Sequence, residues 1–209
     1  MNPARLAGGG AQAPRSHRPP FSLFSATGGP IGAPDDKWQA FVNRRDVVRQ
    51  TARLLPLGGM IIHFICRGNS FRSIIAEAYL NSLRPNGWRV LSSGTTAALN
   101  KAQNLTYYRM TLELLGRHGL REFAKPDYGD QLTQPRLEEP GMVVCMNQRV
   151  YDECLQIVTF PEAPRIWSVA DIGEPGRLAR TESDSLRYRE EAYQEIVGNV
   201  DLLISAIGA

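Results

Sequence analysis

Uninterrupted apolar runs alternate along this chain with longer stretches in which apolar side chains recur at helical spacing. The first clear run, residues 60–65 (MIIHFI), reads as a short strand buried on both faces. After a glycine-bearing loop, residues 73–83 place Ile74, Ile75, Ala78, Tyr79 and Leu83 on one side and predict an amphipathic helix. Pro85, Asn86 and Gly87 form turn material, and 88–92 reads as a second strand. A helix is predicted over 105–115, closed by Gly116, with His118 and Gly119 in the turn behind it. Residues 125–140 read as a long polar connection, 141–146 as a third buried strand and the stretch from Gln148 as a helix. Residues 164–169 give a fourth strand. The last helix, capped by Ser183 or Asp184, carries Leu186, Tyr193, Ile196, Val197, Val200, Leu203 and Ile204 on a broad apolar face.

Upstream of the first strand the pattern changes. Residues 1–34 are rich in Gly, Ala, Pro, Ser and Arg and contain no acid, which predicts a disordered tail. Asp35 or Asp36 then caps a predicted helix at 37–55, with Trp38, Phe41, Val42, Val48 and Leu55 as its stripe. The expected organisation is therefore a tail (1–34), a helical extension (35–58) and one domain (59–209) against which that extension packs, with binding of a partner as the alternative.

Composition narrows the classes. At 209 residues, 43% apolar and 22% charged, the chain suits one domain with a substantial core. A net charge of +3 is too mild to argue for nucleic acid, and no apolar run is long enough for a membrane helix. Three cysteines make a poor disulfide framework and point to a reducing, cytoplasmic setting. His63 and His118 have no ligand-spaced partners, so both read as structural and neither a metal nor a cofactor is expected.

The chemistry sits in the loop Cys66-Arg67-Gly68-Asn69-Ser70-Phe71-Arg72-Ser73. A loop that joins the carboxyl end of a buried strand to the first turn of a helix aims several backbone N–H groups at one point, with the helix dipole behind them. Such a concavity binds an oxyanion. Gly68 lets the backbone approach the anion or take positive φ, and Asn69 also tolerates a left-handed conformation. Cys66 at the mouth of this hole is placed to act as a thiolate nucleophile. Arg72 can fork two oxygens of a phosphoryl group. Ser73 can donate its hydroxyl to the thiolate.

With those residues in view, FICRGNSFRSIIAEAYL resembles the phosphate-binding loop of the low-molecular-weight protein tyrosine phosphatase family, whose superfamily includes thioredoxin-coupled arsenate reductases. The resemblance implies an α/β fold, a three-layer doubly wound sheet of four parallel strands with flanking helices, and a cysteinyl-phosphate intermediate. It also implies a general-acid aspartate just after the fourth strand. Asp171 matches that position, although the proline expected next to it is absent and Glu174-Pro175 offers a rival carboxylate. Ser92-Ser93-Gly94-Thr95 matches the segment that walls the site. The aromatic that often follows is missing, and Tyr107 or Tyr108 is the candidate replacement beside the alternative that both serve the helix.

The expected activity is that of a cysteine-dependent phosphomonoesterase, first of all a protein tyrosine phosphatase, acting on a phosphorylated protein or a small phosphomonoester. Cys66, Arg72 and Asp171 are its catalytic candidates. Arg67, Gly68, Asn69, Ser70, Phe71 and Ser73 are its substrate-binding candidates. Two alternatives stand beside it. An arsenate reductase needs two further thiols; Cys154 falls at the second of their positions, Asn147 occupies the first, and Cys145 reads as an inert strand residue. A phosphate-binding module without turnover is the third possibility.

Overall fold

The computed structural model describes residues 46–48, 50, 59–83, 87–99, 101–137, 141–175 and 177–207. The expected tail lies outside the described residues, as does most of the expected helix at 37–55. Of that helix, residues 46–48 and 50 are helical and Val48 is buried in the main core.

Four parallel strands, β1 (Ile61–Cys66), β2 (Arg89–Gly94), β3 (Met142–Cys145) and β4 (Arg165–Ile166), form one sheet in the order β2-β1-β3-β4. Between and after them come the helices α1 (Arg72–Leu83), α2 (Lys101–Arg117), α3 (Gln148–Cys154) and α4 (Glu182–Ile207). Parallel neighbours need long crossover connections, and each crossover here contains a helix. This is the α/β architecture that the resemblance implied. β1 is apolar but for His63 because it is central and covered on both faces. Ile62, Phe64 and Cys66 belong to the main core, whereas Ile65 belongs to a smaller second core with Val143, Cys145, Val150 and Cys154.

Helix α1 corrects its prediction. It has no wet face: every residue but Asn81 is buried, because the helix is wedged against β1, β2 and α4. Its polar side chains find partners inside, as where the Tyr79 hydroxyl donates to Asp201 on α4 at 2.8 Å. The α2 helix runs through Gly116 and ends at Arg117, and Gly119, with φ +65°, turns the chain out of it. There Leu120 N–H donates to the Leu115 carbonyl at 2.8 Å, the six-to-one closure of a Schellman turn. Thr181, upstream of Ser183 and Asp184, starts α4 through a capping box. Asp184 N–H donates to Thr181 Oγ1 at 3.0 Å, and Thr181 N–H donates back to Asp184 Oδ2 at 3.2 Å.

Residues 125–137 are more ordered than their polarity suggested. They bury Leu132 and Leu137 in the second core and include a 3₁₀ turn at Gln134–Leu137. Gly94 extends β2 beyond its predicted end because it pairs with this stretch: its N–H donates to the Asp130 carbonyl and its own carbonyl accepts from Leu132 N–H, both at 2.8 Å. β4 is shorter than 164–169, yet the chain continues beside β3, with Trp167 N–H on the Cys145 carbonyl and Val169 N–H on that of Met146, both at 2.9 Å. The carboxyl ends of the strands thus gather Cys66, Gly94, Asn147 and the 169–171 segment at one edge of the sheet.

Candidate active site

The loop between β1 and α1 borders a cleft of about 230 Å³. Cys66, Arg67, Gly68, Ser70, Phe71, Arg72 and Asp171 line it, so seven of the nine predicted site residues meet there. Asn69 and Ser73 lie underneath rather than on its wall. Both are fully buried, and both touch the thiol: Ser73 Oγ is 3.0 Å from Cys66 Sγ, and Asn69 N–H donates to the same sulfur at 3.2 Å. Placed so, the Ser73 hydroxyl can donate to the sulfur beside the Asn69 amide.

The strained position of the loop is Asn69, with φ +46°, and not Gly68. Gly68 instead provides room, since a Cβ there would meet Asn104 Oδ1 at 2.6 Å. The cost of the left-handed Asn69 is offset by a dense set of hydrogen bonds to its side chain. Asn69 Nδ2 donates to Ser73 Oγ at 3.1 Å and to Ser92 Oγ at 2.8 Å. Its Oδ1 accepts from Lys125 Nζ at 2.7 Å and from Asp130 N–H at 2.9 Å. Lys125 Nζ also donates to Asp130 Oδ2 at 2.9 Å, which holds the Asp130 carboxyl below its ordinary range against the opposing effect of burial. Ser92 Oγ donates to buried Glu77, whose carboxyl is pushed up mainly by burial.

Arg72 is 1% exposed, and its guanidinium is aimed by the strand edge. Nη1 donates to the Val169 carbonyl at 2.9 Å and Nη2 to Asp171 Oδ2 at 2.6 Å. Asp171 therefore faces the thiol-bearing cleft. Glu174 does not line it. Its carboxylate accepts from Asp171 N–H at 2.8 Å and from Asn147 Nδ2 at 3.3 Å, so it braces the loop that presents Asp171. Of the two tyrosines, Tyr107 lines the cleft, while Tyr108 is buried, donates to the Lys125 carbonyl and stacks on Tyr128. The Ser92–Thr95 segment contributes from beneath, and Thr96 is the residue of that region on the cleft wall.

Sequence reasoning missed Glu77, Lys125, Asp130, Gln103 and Asn104. Lys125 and Asp130 carry a usable signal only in hindsight, as charged residues in a connection that also contains buried leucines. The other cysteines lie elsewhere: Cys145 and Cys154 are fully buried in the second core, where a hydrogen bond from the Cys154 thiol to Cys145, and then burial, push the Cys154 thiol far up. His63 bonds Ser93 Oγ at 2.8 Å, and His118 stacks on Tyr193. Among the described residues no group of three or more His, Cys, Asp or Glu side chains could hold a metal ion, and no helix is long and apolar enough to cross a membrane.

A parallel four-stranded sheet with a thiol in an anion-binding loop after its first strand defines a cysteine-based enzyme of the phosphatase fold. The low molecular weight phosphotyrosine protein phosphatase family model matches residues 61–201, and the chain belongs to this family. Solved structures repeat the fold. The Vibrio vulnificus protein Wzb, determined with benzylphosphonate, is 21% identical with a TM-score of 0.52, over 71% of this chain and 99% of its own. A low molecular weight protein tyrosine phosphatase from T. tengcongensis is 20% identical with a TM-score of 0.50, over 71% and 99%. A thioredoxin-dependent arsenate reductase from Corynebacterium glutamicum is 20% identical with a TM-score of 0.48, over 81% and 72%. No curated protein matches the sequence.

Proposed function

We propose that the protein is a cytoplasmic, metal-independent phosphomonoesterase, first of all a protein tyrosine phosphatase, that works through a cysteinyl-phosphate. The observation that carries this is the meeting of Cys66 Sγ, its donors Ser73 and Asn69, and the Arg72–Asp171 pair around one cleft. In the first step the Cys66 thiolate attacks phosphorus in line with the leaving oxygen. The P–O bond breaks while an S–P bond forms, and Asp171 gives its proton to the leaving oxygen. Arg72 and the loop amides hold the three equatorial oxygens as charge redistributes. Phosphate oxygens compete with Asp171 for Arg72 Nη2, and a carboxyl so released turns toward the leaving group. In the second step Asp171 takes a proton from water, the water oxygen bonds to phosphorus, and the S–P bond breaks. Ser73 donates to the departing thiolate.

Hydrolysis of p-nitrophenyl phosphate with chelator present, in the wild type beside Cys66→Ser, tests the proposal. We expect turnover in the wild type and a fall on the order of 10⁴-fold or more in the variant. A wild type without turnover, or a variant that keeps it, overturns the assignment. Arsenate reduction is disfavoured because Cys154, the thiol it would recruit, is buried away from the cleft with its thiol form favoured. A pure binding module is disfavoured because the Asp171 carboxyl lies on the cleft wall, where it is placed to serve as an acid.

A further inference from the structure

The rim of the cleft carries a second cationic feature that the reaction at phosphorus does not use. Arg67, on the cleft wall, donates from Nε to Glu153 Oε1 at 2.8 Å, and Arg149 donates from its own Nε to the same oxygen at 3.3 Å. The two guanidinium groups are therefore neighbours, no farther apart at Nε than those two bonds combined. Glu153 is fixed in turn, because Thr95 Oγ1 donates to its Oε2 at 2.6 Å. The Arg67 backbone is pinned as well, its carbonyl accepting from Thr96 N–H at 2.9 Å.

One carboxylate between two guanidinium groups leaves one positive charge in excess at this corner. Each arginine commits its Nε to Glu153, and no other hydrogen bond or ion pair of either side chain occurs among the described residues. Four of the five N–H donors of each guanidinium thus remain for a ligand. The side chains are 35% and 56% exposed, so these donors face solvent and not the core. On the cleft wall itself the charges of Arg72 and Asp171 already answer one another, and Thr96, Gln103, Asn104 and Tyr107 add none. Arg149 also borders a neighbouring cleft of about 430 Å³ whose wall includes Trp167, Ala170 and Pro175. A chain emerging from the first cleft past Arg67 would meet Arg149 and then this second cleft, whose wall also holds Asn147, Gln148 and Glu174.

We infer that Arg67 and Arg149 form a rim site for a second anionic group of the substrate, and that the substrate class is a phosphopeptide with a carboxylate side chain beside its phosphorylated residue. This deepens the phosphatase assignment and rests on it. The pre-anchored guanidinium pair loses little ordering entropy on binding, and its forked donors match a carboxylate. Being half-exposed, the contact is worth a modest factor and is screened by salt.

The test uses two fluorescent phosphotyrosine peptides, one with glutamates flanking the phosphotyrosine and one with glutamines. Their binding to the Cys66→Ser protein is read by anisotropy, and kcat/KM of the wild type is read on the same pair. We expect the glutamate peptide to be preferred about 5- to 10-fold at low salt. Adding Arg149→Gln or Arg67→Gln should reduce that preference to about 2-fold, and the double substitution should abolish it. Arg149 is exposed at the surface, so its replacement leaves the fold intact. Equal binding of the two peptides, a preference that survives the double substitution, or no binding of either peptide overturns the inference. Turnover of p-nitrophenyl phosphate reports separately on the phosphatase assignment, so the two can fail independently.

Discussion

Cys66 and Cys145 end adjacent strands of one sheet, and both are shielded from water, at 3% and 0% exposure. Their surroundings share little else. Cys66 borders a polar cleft, accepts from a backbone N–H, shares a hydrogen bond with a buried hydroxyl, and lies in the loop that leads into α1. Cys145 lies on the other side of the sheet among Ile65, Leu132 and Val143, with the thiol of Cys154 as its partner. Burial alone therefore does not decide what a thiol can do. A polar cleft leaves Cys66 open to a ligand, whereas an apolar wall closes off Cys145 and Cys154, and a hydrogen bond to Cys145 together with burial pushes the Cys154 thiol up.

The largest effect short of losing Cys66 itself is expected at the other wall of the cleft. Asp171→Ala should lower kcat for phenyl phosphate by about 10²- to 10³-fold and for p-nitrophenyl phosphate by about tenfold or less. A poor leaving group needs its proton and a good one does not. Equal losses on the two esters would show that Asp171 acts only as a partner for Arg72. The rival carboxylate, Glu174, is committed to Asp171 N–H and Asn147 and does not line the cleft.

Much of the cleft side was legible from the sequence because its chemistry is local. Cys66 through Ser73 are contiguous, so strand, loop and helix could be read together, and the two central strands, β1 and β3, announced themselves as apolar runs. What was not legible is what holds the loop. Asn69 is gripped by Ser92, Lys125 and Asp130, which come from two other parts of the chain, and no periodicity links a lysine to an asparagine so far upstream. The wet face assigned to α1 was wrong for a related reason. Glu77 and Ser82 look like solvent positions until their buried partners are known. The 125–140 stretch looked like a linker because polar residues that satisfy other polar residues have the same composition as polar residues that satisfy water.

The opposite side of the sheet should reveal itself through acid. His63 neighbours Ser93 there, and its pKa is lowered from 6.5 to about 4, first by burial and then by the charges of Arg136 and Lys125, with Asp130 opposing. The folded protein keeps His63 neutral while the unfolded chain takes up a proton below 6.5. The unfolded state thus binds more protons between pH 6.5 and 4, and stability falls as pH drops through that window. The expected loss is about 3 kcal/mol. Glu77 acts in the opposite sense, since its raised carboxyl makes the fold less stable as pH rises above 4.5. Urea midpoints at several pH values for the wild type and His63→Gln separate the two, because only the histidine contribution vanishes in the variant. Parallel pH profiles would mean that His63 protonates freely in the fold.

The smallest effect expected tests whether the donors around Cys66 depend on Lys125. Its ammonium, 14% exposed, joins Asn69 Oδ1, Asp130 Oδ2 and the Ser92 carbonyl, and through Asn69 it reaches both Ser73 and the sulfur. Lys125→Met removes one charge-assisted bond from the asparagine that donates to the thiol, leaving the cleft wall itself untouched. Such a bond is worth about 1.5 kcal/mol, so iodoacetamide should alkylate Cys66 about tenfold more slowly in the variant at neutral pH. Lys125→Arg, which keeps the charge, should recover part of the rate. Cys145 and Cys154 should stay unlabelled in all three proteins until urea unfolds them, which provides an internal control for global loosening. If the Cys66 rate is unchanged while the urea midpoint drops, Lys125 supports the fold alone and the reactivity of Cys66 is set within its own loop.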